Sequence, residues 1–410
     1  MTSAGRGSVH AVRAHACGLA LAALALAALA LGGCGTEPRI PYTRQEQAAA
    51  DIPGIRGARV WTDDPAIATE PPLVVSRVRI QQPILLALSG GGADGAFGAG
   101  LLAGWSAQGT RPQFDFVTGA SAGALVAPFA FLGPAYDETL RSVFANGEMA
   151  NLLQSEGLAG LFGTGLFKTA PLRDLIARHV DAELLAAVAR EYRRGRRLYT
   201  VTTNLDAQRT AIWDMGRIAA SGEPGALDLF RNVLTASASI PGVFSPVLID
   251  VEANGHRFAE MHVDGGVTTN VLILPEAVLV SNSPVFLPGA RPKVYIVMNG
   301  KLTRDFELVK ASTLSIVTRS FETSVRANTQ HTLLAAYQFA KSRHWDFNLT
   351  SIAADYPAPD SIGFDTVYMR QLFDYGYRRG KIGIKWQSAP SESGAPPRPI
   401  RVTNSHLSTR

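Results

Sequence analysis

Apolar positions along the middle of this chain change period in a regular way. Ile84-Leu85-Leu86-Ala87-Leu88 is an unbroken apolar run that stops at Gly90-Gly91-Gly92, as expected of a buried parallel strand feeding a tight turn. A helix is expected next, from about Ala96 to Gln108. Phe114-Asp115-Phe116-Val117-Thr118 then repeats the strand pattern, and Ala122 to Leu132 the helical one. Further strands are expected at Leu198 to Thr203, Ala211 to Met215, His262-Val263 and Val294 to Met298. This alternation predicts an α/β fold, a three-layer α/β/α sandwich with a mainly parallel central sheet. Past Leu302 the character changes. Phe306 to Arg343 holds no glycine or proline, and its apolar residues (Leu308, Val309, Leu314, Val317, Phe321, Val325, Leu333, Leu334, Tyr337) predict one or two long helices.

The ends read differently. Arg6 and Arg13 precede an apolar run from Ala16 to Leu31, which is shorter than the about 20 residues of a spanning helix and has the form of a signal-peptide core. It closes on Leu31-Gly32-Gly33-Cys34, which resembles a bacterial lipobox. That resemblance implies loss of residues 1–33 and lipidation of Cys34. It also implies a membrane-anchored lipoprotein of the bacterial cell envelope, at the outer membrane or facing the periplasm. The alternative is an ordinary cleaved signal. Residues 34–80, rich in Pro, Ala and charge, are expected to form a flexible tether, and residues 387–410 a disordered tail. Between them lie an expected catalytic core over 84–277 and a strand-and-helix extension over 278–386.

Composition adds little more. The only cysteines are Cys17 and Cys34, so no internal disulfide remains after cleavage and an ordinary hydrophobic core must hold the fold. Lys and Arg total 39 against 34 Asp and Glu, a surplus too small to imply a nucleic-acid partner. The one dense basic run, Arg190, Arg193, Arg194, Arg196 and Arg197, reads as the solvated end of a helix and its loop; attraction to anionic head groups is the alternative.

Three glycine-bearing segments carry the chemistry. Gly119-Ala120-Ser121-Ala122-Gly123 places a serine between a strand and a helix with only small neighbours, which suits a nucleophile on a sharp turn. The helix start behind it directs free amides and a positive dipole end toward the reacting centre. Gly90-Gly91-Gly92-Ala93-Asp94-Gly95 offers consecutive backbone N–H groups that can converge on an oxyanion. A nucleotide loop is the alternative there, with Asp115 as the nearest candidate for its acidic partner. Asp264-Gly265-Gly266 puts a carboxylate on a tight loop after a strand, where it could accept a hydroxyl proton.

In this order the three segments resemble the patatin-like phospholipase family, over about Ile84 to Ala277. The segment Thr235-Ala236-Ser237-Ala238-Ser239-Ile240-Pro241-Gly242-Val243-Phe244-Ser245-Pro246 is similar to the family's stretch between serine and aspartate. Phe364-Asp365 and Tyr368-Met369-Arg370 through Gly376 resemble the closing helix of bacterial members. The resemblance implies a serine lipid acyl hydrolase, a phospholipase A or carboxylester lipase. Ser121 would be its nucleophile, Asp264 its proton acceptor and residues 90–95 its oxyanion hole, with neither cofactor nor metal. The implied partners are an acyl lipid or ester substrate and, through Cys34, a membrane.

One position departs from the family. Asp94 stands where Arg or Lys is usual, and an acidic group there points toward neutral esters over anionic phospholipids. Two other readings stay open. An ordinary Ser-His-Asp hydrolase would draw its histidine from His331, His344 or His406, while His262 is expected merely to flank a strand. A lipid-anchored scaffold without useful turnover is the third.

Overall fold

The computed structural model describes residues 39–69, 81–150, 152–153, 165–281, 285–286, 289–303, 306, 308–357 and 363–390. Eleven strands fall among them: β1 (Arg59–Trp61), β2 (Ile84–Leu88), β3 (Phe116–Ala120), β4 (Gly165–Phe167), β5 (Arg197–Asn204), β6 (Arg209–Asp214), β7 (Gly242–Phe244), β8 (Val247–Ala253), β9 (His256–Asp264), β10 (Lys293–Lys301) and β11 (Asp346–Ile352). Nine make one sheet in the order β1-β6-β5-β3-β2-β10-β11, with β9 paired to β5 and β8 to β9; β4 and β7 form a separate parallel pair. The central strands β5, β3, β2, β10 and β11 are parallel, as the apolar run of β2 predicts for that strand. The antiparallel pairs β5–β6, β1–β6, β5–β9 and β8–β9 extend the sheet from β5.

Strand alternation divides the core in two. Leu86, Leu88 and Val117 face one layer, with Phe97 and Leu101 of the loop helix (Gly95–Gln108), Val126 of the elbow helix (Ala122–Leu132) and Phe373 of the closing helix (Thr366–Ile382). Leu85, Ala87, Phe116 and Ile296 face the other, against Val271 to Leu274 and Leu333, Ala336 and Phe339 of the long helix (Thr313–Ser342). Each of the larger of these side chains, removed from water, contributes roughly 1.5–3 kcal/mol. The loop and closing helices run side by side and touch backbone to backbone. A Cβ on Gly100 or Gly104 would overlap the carbonyl of Phe373 or Tyr377, and one on Gly376 or Gly380 that of Phe97 or Leu101.

The structure corrects three expectations. Residues 39–69 are folded, not a tether. A helix at Arg44–Ala49 opens with a capping box of Thr43 and Glu46, and β1 pairs with β6. Arg59 is buried against Glu260 and donates to the Ala50 carbonyl. These pieces are too short to show a period in the sequence. At the other end, Gln387 exchanges backbone hydrogen bonds of 2.8 and 2.9 Å with Leu349, so ordered pairing reaches into the expected tail. Within the basic run, Arg196 is buried and clamps the carbonyls of Phe114 and Phe131, while Arg194 meets Glu191 at the surface. Residues 1–38, Cys34 included, and 391–410 lie outside the described residues.

Candidate active site

All three glycine-bearing segments lie at or beyond the carboxyl ends of β2, β3 and β9. Past β2, the Gly90 N–H donates to the Asn270 carbonyl at 2.9 Å and the chain bends into a single 3-10 turn, Gly92–Asp94. Gly92 there has φ +55°, which suits glycine. Gly91 passes so close to the Asn299 carbonyl that a Cβ would overlap it. The first bond within the turn runs from Asp94 N–H to Gly91 O at 3.0 Å, and Gly95 N–H returns to the carbonyls of Gly92 and Ala93. The amides of Gly91, Gly92 and Ala93 precede that bond, as the first N–H groups of any helical turn do.

Asn299 braces this turn and was not expected from the sequence. It is buried, receives Gly98 N–H on Oδ1 at 3.0 Å and donates Nδ2–H to the Ser89 carbonyl at 2.7 Å. Its backbone N–H donates to Ser89 Oγ at 2.8 Å. The available signal is a polar residue directly after the apolar stretch Val294 to Met298.

Ser121 follows β3 with φ 51° and ψ −125°, a conformation unfavourable for any residue with a side chain. Gly119 and Gly123 let the backbone double back, since a Cβ on either would overlap the Gly123 or the Leu88 carbonyl. The Ser121 N–H donates to Ser237 Oγ at 3.1 Å, and that hydroxyl donates to the Val201 carbonyl at 2.7 Å, tying the elbow to β5. Because the strain belongs to the side-chain-bearing residue, Ser121→Gly is expected to be about 1–2 kcal/mol more stable than Ser121→Ala. Urea denaturation of the two variants, both lacking the hydroxyl, checks this.

Ser121 Oγ donates to Asp264 Oδ2 at 2.6 Å across 143 residues of sequence. Asp264 ends β9, where antiparallel pairing sets it opposite Thr202 of β5. Its Oδ1 accepts the Gly266 N–H at 2.7 Å, its N–H donates to the Ser239 carbonyl at 2.9 Å and its carbonyl accepts Thr203 Oγ1 at 3.0 Å. Gly265 packs against the Val201 carbonyl. Burial pushes the Asp264 carboxyl up to about 7, although the bonds from Ser121 and Gly266 favour the carboxylate.

Asp94 turns to the closing helix, where its Oδ1 accepts the Tyr368 hydroxyl at 2.6 Å. Burial, then the neighbouring Asp94 charge, pushes the Tyr368 hydroxyl well above its ordinary range. Among the described residues no histidine hydrogen-bonds to Ser121 or Asp264. His262 is fully buried between Thr202 Oγ1 at 2.9 Å and Glu260 Oε2 at 3.2 Å, and burial lowers its affinity for a second proton. His331 and His344 are exposed on and just after the long helix, and His406 lies outside the described residues. No group of three or more His, Cys, Asp or Glu side chains among the described residues is placed to hold a metal ion.

Residues 86–277 match the model of the patatin-like phospholipase family. Among solved structures, VipD from Legionella pneumophila aligns at 10% identity over 74% of this chain and 67% of its own, with a TM-score of 0.32. The type III effector ExoU aligns at 12% identity over 77% of this chain and 56% of its own, with a TM-score of 0.25. This chain therefore spans little more than half the length of ExoU. No curated protein matches it. Residues 86–277 are thus a patatin-like phospholipase domain, the hydrolase part of this chain.

Proposed function

We propose that Ser121 and Asp264 act as a catalytic dyad, and that the short hydrogen bond between their side chains, with no histidine interposed among the described residues, carries this reading. As Ser121 Oγ bonds to the acyl carbon, its proton passes to Asp264 Oδ2 and the carbonyl electrons move to oxygen. The amides of Gly91, Gly92 and Ala93, with the start of the elbow helix, stabilise that oxyanion. This narrows the expected six-residue oxyanion hole, since the amides of Gly90, Asp94 and Gly95 are engaged elsewhere. Collapse breaks the ester bond, and the departing alkoxide takes the proton from Asp264. Water then repeats the sequence on the acyl-enzyme, with Asp264 as base, and releases the fatty acid.

A carboxylate with its ordinary pKa near ~3.9 is a weak base at neutral pH. The raised pKa of Asp264 supports its role, because proton transfer from an attacked hydroxyl becomes less uphill. The acidic Asp94 beside the turn supports a preference for neutral carboxylic esters over anionic phospholipids. For the N-terminus, the reading remains lipidation of Cys34 and attachment to a membrane of the bacterial envelope.

The test is an active-site label. A fluorophosphonate should modify Ser121 alone, as read by peptide mass, and His262→Gln, His331→Ala, His344→Ala and His406→Ala should each label at the parental rate. An adduct on another serine, or labelling that disappears with one histidine, would remove the dyad. A wild type that neither labels nor turns over any acyl ester would leave only a scaffold.

A further inference from the structure

The long helix reaches beyond the body it packs on. Its C-terminal half is fixed to the sheet by Leu333, Ala336, Phe339 and Ala340. Near its middle, Thr329 Oγ1 accepts Asn270 Nδ2–H at 3.1 Å, and Arg326 donates to the carbonyls of Lys301 and Thr303 at the end of β10. β10 is parallel to β2, so its end is the edge of the sheet where the glycine turn and Ser121 lie. The helix therefore meets that edge at Arg326. The residues from Thr313 to Arg326 overshoot it by about 20 Å at the usual rise.

The start of this overhang carries exposed apolar side chains. Ile316 is 53% and Val317 60% exposed on the helix, and on the segment leading into it Phe306 is 91%, Leu308 84% and Val309 40% exposed. Lys310, Ala311 and Ser312 are exposed between the two groups. Large apolar side chains this exposed and this closely grouped mark a surface that meets something apolar. They project from a helix start beside Lys310 and Ser312, as residues do that enter the acyl region of a lipid layer from its interface. No helix among the described residues is long and apolar enough to cross a membrane.

We propose that Phe306, Leu308, Val309, Ile316 and Val317 form an interfacial docking surface that inserts into the lipid aggregate holding the ester substrate. The inference rests on the lipid-ester hydrolase reading, because its partner is the aggregate from which that substrate must be drawn. The surface occupies the catalytic end of the sheet, so adsorption through it brings the site to the lipid face. Its role is separate from that of Cys34: a lipid at the N-terminus tethers the molecule, whereas this surface orients it.

The experiment uses the full chain. The native tryptophans, five in number, belong to the folded body, so Phe306→Trp adds a single reporter on the overhang. With vesicles of phosphatidylcholine containing a dibrominated analogue, its added emission should shift to the blue and be quenched. The double variant Leu308→Glu/Ile316→Glu should turn over a vesicle-borne long-chain ester about tenfold or more slowly, with turnover of a dissolved short-chain ester unchanged. Absence of quenching at position 306, or equal effects on both substrates, overturns the proposal. So does light scattering in which the double variant converts a dimer into a monomer, because the surface would then join two copies of the chain. Wild-type inactivity on both esters with quenching intact would reject the hydrolase reading and leave the lipid contact standing.

Discussion

Asp264→Asn is expected to lower kcat on a dissolved acyl ester by about 10³- to 10⁴-fold at pH 8, with little change in KM. The amide oxygen can keep the Gly266 N–H bond and turn its NH₂ toward Ser121, so the site retains its shape and loses only its base. In the parent, kcat/KM should rise with pH through an apparent pKa of about 7, since burial holds the carboxyl protonated below that value. Stability should move the opposite way. A carboxyl whose folded pKa exceeds its unfolded value stabilises the fold fully below about pH 4, and that contribution is lost as pH rises through about 7. The asparagine carries no charge to bury. At pH 8 the variant should therefore gain stability on the order of 2–4 kcal/mol, a gain that vanishes by pH 4. Urea titrations at the two pH values check the sign. A variant that is active, or less stable at pH 8, would contradict a buried catalytic carboxylate.

Gly100→Val should unsettle the packing of the helix layer strongly. The loop and closing helices approach through Gly100 and Gly104 on one and Gly376 and Gly380 on the other, and the first Cβ atom added at Gly100 overlaps the Phe373 carbonyl. Backbone cannot yield as a side-chain tip does, so the helices must separate. A loss of about 3 kcal/mol or more is expected in urea denaturation. Gly225→Ala, where an added Cβ meets nothing within 4 Å, is the matched control and should stay within about 0.5 kcal/mol. Activity should fall with the stability of Gly100→Val. The loop helix starts directly at the glycine turn, and any tilt of it moves the amides of Gly91 to Ala93 away from Ser121.

What the sequence discloses here is what is local. The run Ile84 to Leu88, the glycines after it and the elbow at Ser121 lie within short windows where strand, turn and helix chemistry can be read directly, and Asp264 is marked by its two glycines. The partners that hold those residues are distant in the chain and leave fainter marks. Asn299, Ser237 and Asn270 reach the site only once β10 joins β2, β9 joins β5 and the long helix packs down. Residues 39–69 look like a linker because their elements are a few residues each, and their order comes from β6 and from Glu260. Arg196 looks like one more surface cation in a basic run, and only the fold turns it inward to two carbonyls. β11 begins at a charged residue and carries polar Asn348, Thr350 and Ser351, so no apolar run announces it.

The bracing of the glycine turn by Asn299 and by the closing helix also sets when the enzyme can begin to work. Synthesis delivers Ser121 first and Asp264 later, so both members of the proposed dyad are present in a chain that has reached residue 277. Such a chain still lacks the asparagine that cradles the turn and the helix that presses its neighbour into place. The amides of Gly91 to Ala93 gain their fixed arrangement only after β10 has paired beside β2 and growth has passed Ile382. On the proposed dyad, the hydrolase is thus made in a silent form, and the closing helix is the catch that arms it.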